Sequence, residues 1–194
     1  MITDHDRSGW IGASDVKYVM GNWNTKTFEK WWMQKLGINR DHFGNDATLA
    51  GTHWEHKILD SLGYTDMEKD RQILIPEIRL RVNLDGNTSG RIYECKTYKA
   101  DAATGAAKDL RNGICPKGYW MQVQVQMYAS RIYGADIVAY GLVHEDYNNY
   151  LRAVDPGRRK LIPVTYDPNW IENEYLPRHR KLVEALVRGV FPSA

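Results

Sequence analysis

The residues best equipped for chemistry are Asp85 and the triplet Glu94-Cys95-Lys96. Glu94 and Lys96 stand two apart in a segment, Arg91 to Thr97, that reads as a strand, so their side chains leave the same face, with Ile92 preceding them on it. Asp85 closes the alternating run Arg79-Leu80-Arg81-Val82-Asn83-Leu84, and Asp85-Gly86-Asn87 supplies the turn chemistry for a hairpin. Two carboxylates beside a lysine suit Mg²⁺: hard oxygens hold the ion, and the amine orients water or steadies negative charge. Alone, the triplet reads first as an ordinary exposed strand face bearing a Glu/Lys pair.

Glu55, in Gly51-Thr52-His53-Trp54-Glu55, adds a third carboxylate. It lies three and four residues before Ile58 and Leu59 and seven before Leu62, on the stripe of a helix from about Ala47 to Leu62 that should face the core. A charge there is costly unless paired or bound to metal. The other reading is a helix-boundary glutamate reaching solvent. His53 and His56 are three apart, lack a nearby thiol and do not form His-Glu-x-x-His, so they read as solvated helix histidines and not as a zinc site.

The elements that must hold these residues follow from periodicity. Phe28, Trp31, Trp32 and Leu36 form a helical stripe closed by Gly37, and Gly63 ends the helix carrying Glu55. Gln72 to Ile75 reads as an earlier strand and Asp136 to Val143 as a buried one. Met121 to Met127 alternates like a strand although its length and flanks suit a helix, and periodicity leaves both open. Asn149 to Val154 and Leu161 to Tyr166 bracket Asp155-Pro156-Gly157 as a hairpin. A last helix opens at Asp167-Pro168, ends near Gly189 and should be kinked or split at Pro177. The class is α/β, one domain over residues 1–194.

Composition narrows the options. The 194 residues are 43% hydrophobic, 26% charged and 11% aromatic, which excludes a disordered or collagen-like chain. A net charge of +2 is far from that of a protein coating nucleic acid nonspecifically, so any such role rests on local charge. Two cysteines exclude a disulfide framework and a four-cysteine metal site. The absence of an apolar stretch long enough for a membrane span, and of an apolar leader, points to the cytoplasm.

Asn83-Leu84-Asp85-Gly86 followed by Glu94-Cys95-Lys96 resembles the Asp…Glu-x-Lys core of the PD-(D/E)XK nucleases, with Asn83-Leu84 where the family name has a proline. Within that superfamily the chain resembles the lambda-exonuclease-like, or YqaJ-type, phage recombination exonucleases. Arg7-Ser8-Gly9-Trp10-Ile11-Gly12-Ala13-Ser14-Asp15 is similar to their N-terminal motif, Gly51 to Glu55 to their Gly-x-x-x-Glu helix, and Tyr119-Trp120-Met121-Gln122-Val123-Gln124 to their Tyr-x-x-Gln-x-Gln helix. The resemblance covers residues 7 to 128 in the same order.

It implies a restriction-endonuclease-like fold, a central mixed β-sheet flanked by helices. It also implies that Asp85, Glu94 and the backbone carbonyl of Cys95 hold Mg²⁺, with Mn²⁺ able to substitute. Lys96 would then position the attacking water or stabilise the phosphate, and Glu55 would complete the site through a second metal or metal-bound water. Arg7 and Ser14, helped by Gln122, would grip a 5′ phosphate, and Tyr119 would line the cleft. The implied activity is 5′→3′ digestion of linear duplex DNA that leaves 3′ overhangs for recombination. The implied partners are a single-strand annealing protein and further copies of the chain in a trimeric ring, with no membrane involved. An endonuclease, a single-strand nuclease and a non-catalytic DNA-binding protein are the alternatives.

Outside these motifs, Lys99, Lys108 and Arg111 read as solvated loop charges, and Arg158-Arg159-Lys160 suits DNA backbone or a solubilising turn. Trp31, Trp32 and Trp120 read as core.

Overall fold

A computed structural model describes residues 8–38 and 46–193. Strand β1 (Ile11–Gly12) leads through a 3₁₀ turn (Ala13–Asp15) into α1 (Val16–Val19), α2 (Lys26–Lys35) and α3 (Asp46–Asp60). Strands β2 (Glu68–Ile75), β3 (Leu80–Asn87) and β4 (Ile92–Lys99) follow, then α4 (Gly105–Arg111), α5 (Lys117–Ser130) and β5 (Gly134–Leu142). The chain ends in β6 (Arg159–Thr165), α6 (Pro168–Trp170), a π turn (Ile171–Tyr175) and α7 (Leu176–Arg188).

The sheet runs β1-β3-β4-β5-β6, with β2 also pairing with β3. It is mixed: β1 with β3 and β4 with β5 are parallel, and the other pairs are antiparallel. Period-two alternation sends side chains to two apolar cores, one per face. Ile92, Ile137 and Ala139 join Leu80, Val82, Leu84 and Val123 beneath α5, whereas Tyr93, Cys95, Val138 and Tyr140 join Trp54, Ile58 and Leu59 of α3.

Some expectations hold and others change. Met121 to Met127 lies inside α5, because the strand-like alternation belongs to a helix buried on several sides. The expected turn at Asp85-Gly86-Asn87 is strand instead; the chain reverses after it, where Thr88 N–H donates to Arg91 O at 2.9 Å. No Asn149–Val154 strand forms, and β6 pairs with β5 instead of closing a local hairpin. That connection is fixed by side chains: buried Asp146 accepts from Arg152 Nη1 at 3.0 Å and from Arg158, and Trp54 Nε1 donates to Asp146 O at 3.0 Å. Pro177 splits the last helix. The π turn immediately before it changes the register, so the proline falls in the first turn of α7, where no N–H is needed.

Candidate active site

Strands β3 and β4 pair only at Gly86↔Tyr93 and Asn87↔Ile92. The next rung would join Asp85 to Glu94, but the ladder stops there and the strands part. Asp85 replaces the lost rung with its side chain, Oδ2 accepting from Cys95 N–H at 2.8 Å. On the other lip, Asn83 O accepts from Gln126 Nε2 at 3.2 Å. The sheet therefore opens beside its acidic residues, and helices from both faces reach them.

Glu94 is only 1% exposed, yet both oxygens of its carboxylate have partners. Lys96 Nζ and Gln122 Nε2 each lie 2.5 Å from Oε1, and Gln126 Nε2 lies 2.5 Å from Oε2. Gln122 and Gln126 are one helical turn apart on α5, which aims both amides at one point. Gln124 faces elsewhere: its amide donates to Thr165 O at 2.7 Å and accepts from Asp167 N–H at 2.7 Å, fixing the start of α6. Gln126 was missed in the sequence because the motif ends at Gln124. The four-residue repeat Gln122…Gln126 on a helix was the signal. Tyr119 stands one turn earlier, its ring centroid 5.0 Å from Lys96 Nζ.

Glu55 comes from α3 on the opposite face. Gly51 eases this approach, since a Cβ there would lie 3.2 Å from Thr97 Oγ1, a tight contact that would push the helix or the Thr97 side chain back by a few tenths of an ångström. Burial first, then the Glu94 and Asp70 carboxylates, raises Glu55 above its ordinary value against the pull of His56 and Lys96. Asp85 is raised well above the usual carboxylate range by burial, then by Glu94 and Glu55, with Lys96 and the Cys95 amide opposing. For Lys96 burial works downward, but Glu94 and Asp85 outweigh it and keep the amine an ammonium.

Three carboxylates crowded against one ammonium leave unbalanced negative charge, which a divalent cation would neutralise. The all-oxygen donor set of Asp85, Glu94 and Glu55 fits a hard ion of the Mg²⁺ or Mn²⁺ type. The Cys95 side chain lies in the α3-side core, where burial pushes the thiol well above its normal value.

Ser14 is exposed on the turn after β1, which packs against α5. Buried Asp15 shapes this turn, accepting from Gly12 N–H at 2.8 Å and Trp31 Nε1 at 3.0 Å and pairing with Lys35 Nζ at 2.6 Å. Arg7 lies outside the described residues. His53 stacks on Tyr150 with ring centroids 4.4 Å apart, and His56 Nε2 stands 3.0 Å from Asp70 Oδ2. Two side chains of the basic run serve the fold: Arg158 binds Asp146 and donates to Gly141 O at 3.1 Å, and Arg159 donates to Ser61 Oγ at 2.6 Å.

Similar architectures occur among solved structures. The chain is similar to an alkaline exonuclease from Laribacter hongkongensis, at 19% identity and a TM-score of 0.72 over 94% of this chain and 90% of that one. That exonuclease is also known in complex with dAMP. A phage-related exonuclease from Haemophilus somnus is 15% identical, with a TM-score of 0.61 over 93% of this chain and 92% of that one. No curated protein sequence matches significantly. The fold is thus restriction-endonuclease-like. A profile of the YqaJ-like viral recombinase domain matches residues 4–132, so the chain belongs to that family and is a nuclease.

Proposed function

We propose that this nuclease is a Mg²⁺-dependent 5′→3′ exonuclease on linear double-stranded DNA, producing 3′ single-stranded tails for recombination by strand annealing. The observation that carries this reading is the convergence of Asp85, Glu94, Lys96, Glu55 and Gln122 at the split between β3 and β4. Asp85, Glu94 and the Cys95 carbonyl would hold the cation, which when bound polarises the scissile phosphate and lowers the pKa of water.

The chain's own residues supply the rest. Lys96, kept protonated, neutralises charge growing on the phosphate oxygens or orients the attacking water. Gln122 fixes one Glu94 oxygen and faces the substrate side with Tyr119, while Ser14 and Arg7 receive the terminal 5′ phosphate. A bidentate guanidinium suits that dianion. The dAMP complex of the Laribacter exonuclease is consistent with a nucleoside monophosphate product. The whole chain works as one exonuclease domain. The expected assembly is a ring of three copies around DNA with a single-strand annealing protein as partner, acting in the cytoplasm. No helix among the described residues is long and apolar enough to cross a membrane.

The test uses linear duplex labelled at its 3′ ends and carrying either a 5′ phosphate or a 5′ hydroxyl. Progressive loss of the strand from its 5′ end, preferring the phosphate, is expected, and Arg7→Ala should erase the preference. Equal cutting of closed circular DNA contradicts the proposal.

A further inference from the structure

A second group of ligating side chains adjoins the acidic centre. Glu55 and His56 are consecutive on α3, and Asp70 comes from β2; one ligand atom from each lies within 4.8 Å of the others. The β2–β3 ladder runs in register from Glu68↔Asn87 to Ile75↔Leu80 but omits Asp70, which stands opposite Asp85. Its backbone there is left-handed, with φ of 56°. Asp70 leaves the ladder, and its carboxylate meets the imidazole of His56 with Nε2 and Oδ2 3.0 Å apart.

We infer that Glu55, His56 and Asp70 form a binding site for a borderline divalent transition-metal ion, of the Zn²⁺ or Co²⁺ class, next to the Asp85–Glu94 centre. Two donors bonded at about 2.1 Å to a tetrahedral ion lie about 3.4 Å from each other, so the His56–Asp70 pair, 3.0 Å apart, need open only slightly to take an ion between its two atoms. The other separations in the triad are within 4.8 Å, a gap that an inward swing of the Glu55 side chain closes.

Donor chemistry sets the class of ion. The Asp85–Glu94 centre offers oxygen alone, which suits Mg²⁺ or Mn²⁺, whereas an imidazole with two carboxylates favours Zn²⁺ or Co²⁺. The set is also accessible, since the His56 side chain is 51% exposed and the Asp70 side chain 29%. Water can therefore fill the remaining positions, and an ion can enter without the fold opening. Glu55 is the shared wall: it belongs to this triad and lies within electrostatic reach of Glu94.

Zn²⁺ is titrated into the DNA-free protein against a chromophoric chelator, and Mg²⁺ binding is measured separately by calorimetry. His56→Ala and Asp70→Asn should each weaken Zn²⁺ binding at least about tenfold while leaving Mg²⁺ binding within about twofold. Asparagine tolerates the left-handed conformation at position 70, and His56 is exposed, so both variants keep the fold. Unchanged Zn²⁺ affinity in His56→Ala overturns the inference. So does Zn²⁺ uptake that depends on Asp85 alone, with Asp85→Asn abolishing it and the triad variants binding normally. Because the readout is metal binding without DNA, its outcome is independent of whether the exonuclease reaction occurs.

Discussion

Replacing Gln126 with leucine isolates the contact that holds the buried Glu94 carboxylate. Gln126 is fully buried and its Nε2 donates to Glu94 Oε2 at 2.5 Å and to Asn83 O at 3.2 Å, while its Oε1 is buried without a partner. Losing a hydrogen bond to an ionised group costs about 1.5–3 kcal/mol, and the weaker one to Asn83 about 0.5–1.5 kcal/mol. Removing the unsatisfied Oε1 returns about 1–3 kcal/mol, and leucine preserves most of the volume. The net cost is about 1 kcal/mol, a fall in Tm of about 2–4 °C for a chain of this length. Denaturant unfolding of a double-mutant cycle measures the pair directly. In a Glu94→Gln background, Gln126→Leu should cost about 1.5 kcal/mol less than in the parent, because the charge that made the bond strong is gone. Mg²⁺ affinity in the single variant should drop about tenfold or more, since one Glu94 oxygen loses its anchor. Additivity within about 0.5 kcal/mol, together with unchanged Mg²⁺ affinity, would rule out a positioning role for Gln126 toward Glu94.

Lys35 is 4% exposed and pairs with Asp15 at 2.6 Å, so Lys35→Met should destabilise by about 3–5 kcal/mol in urea unfolding; a loss under about 1 kcal/mol contradicts a buried pair. His179 is fully buried between Tyr175 Oη at 3.0 Å and Ile78 O at 2.8 Å, and burial lowers its pKa against the pull of the Ile78 carbonyl. The unfolded chain takes up this proton near pH 6.5 while the folded chain resists, so the contribution is complete above about pH 6.5 and shrinks as pH falls below it. The urea midpoint should drop between pH 8 and pH 5.5, with a shallower drop in His179→Gln; identical slopes would disprove the assignment.

Asp85, Glu94 and Lys96 were legible because strand alternation puts Glu94 and Lys96 on one face and a hairpin brings Asp85 beside them. Their separation from an ordinary Glu/Lys strand pair was not legible, since it depends on where the β3–β4 ladder stops, a tertiary event that opens the sheet between Asp85 and Glu94. Glu55 was visible as a carboxylate on an apolar stripe, and what eases the approach of α3, the missing Cβ of Gly51 against Thr97, becomes apparent only in three dimensions. Asp70 was invisible because its part follows from a left-handed backbone that nothing in its neighbours announces. The false hairpin at Asn149–Val154 arose because apolar residues flank a turn sequence there, whereas buried Asp146 with Arg152 and Arg158 fixes the segment as a loop. Periodicity failed on α5 for a related reason: Val123, Gln124, Val125, Gln126 and Met127 are all buried, so no polar face remained to mark the helix.

Whether Asp85, Glu94 and Lys96 form a metal-dependent phosphodiesterase centre is decided by nucleotide release from linear duplex with a labelled 5′-terminal nucleotide. Release is followed in Mg²⁺ and after chelation, for the parent, Asp85→Asn and Lys96→Ala. Mononucleotide release is expected only with the metal, none in Asp85→Asn, and at a rate at least about a hundredfold lower in folded Lys96→Ala. Release that survives chelation, or variants within a few-fold of the parent, would contradict a metal-dependent centre built on these three residues.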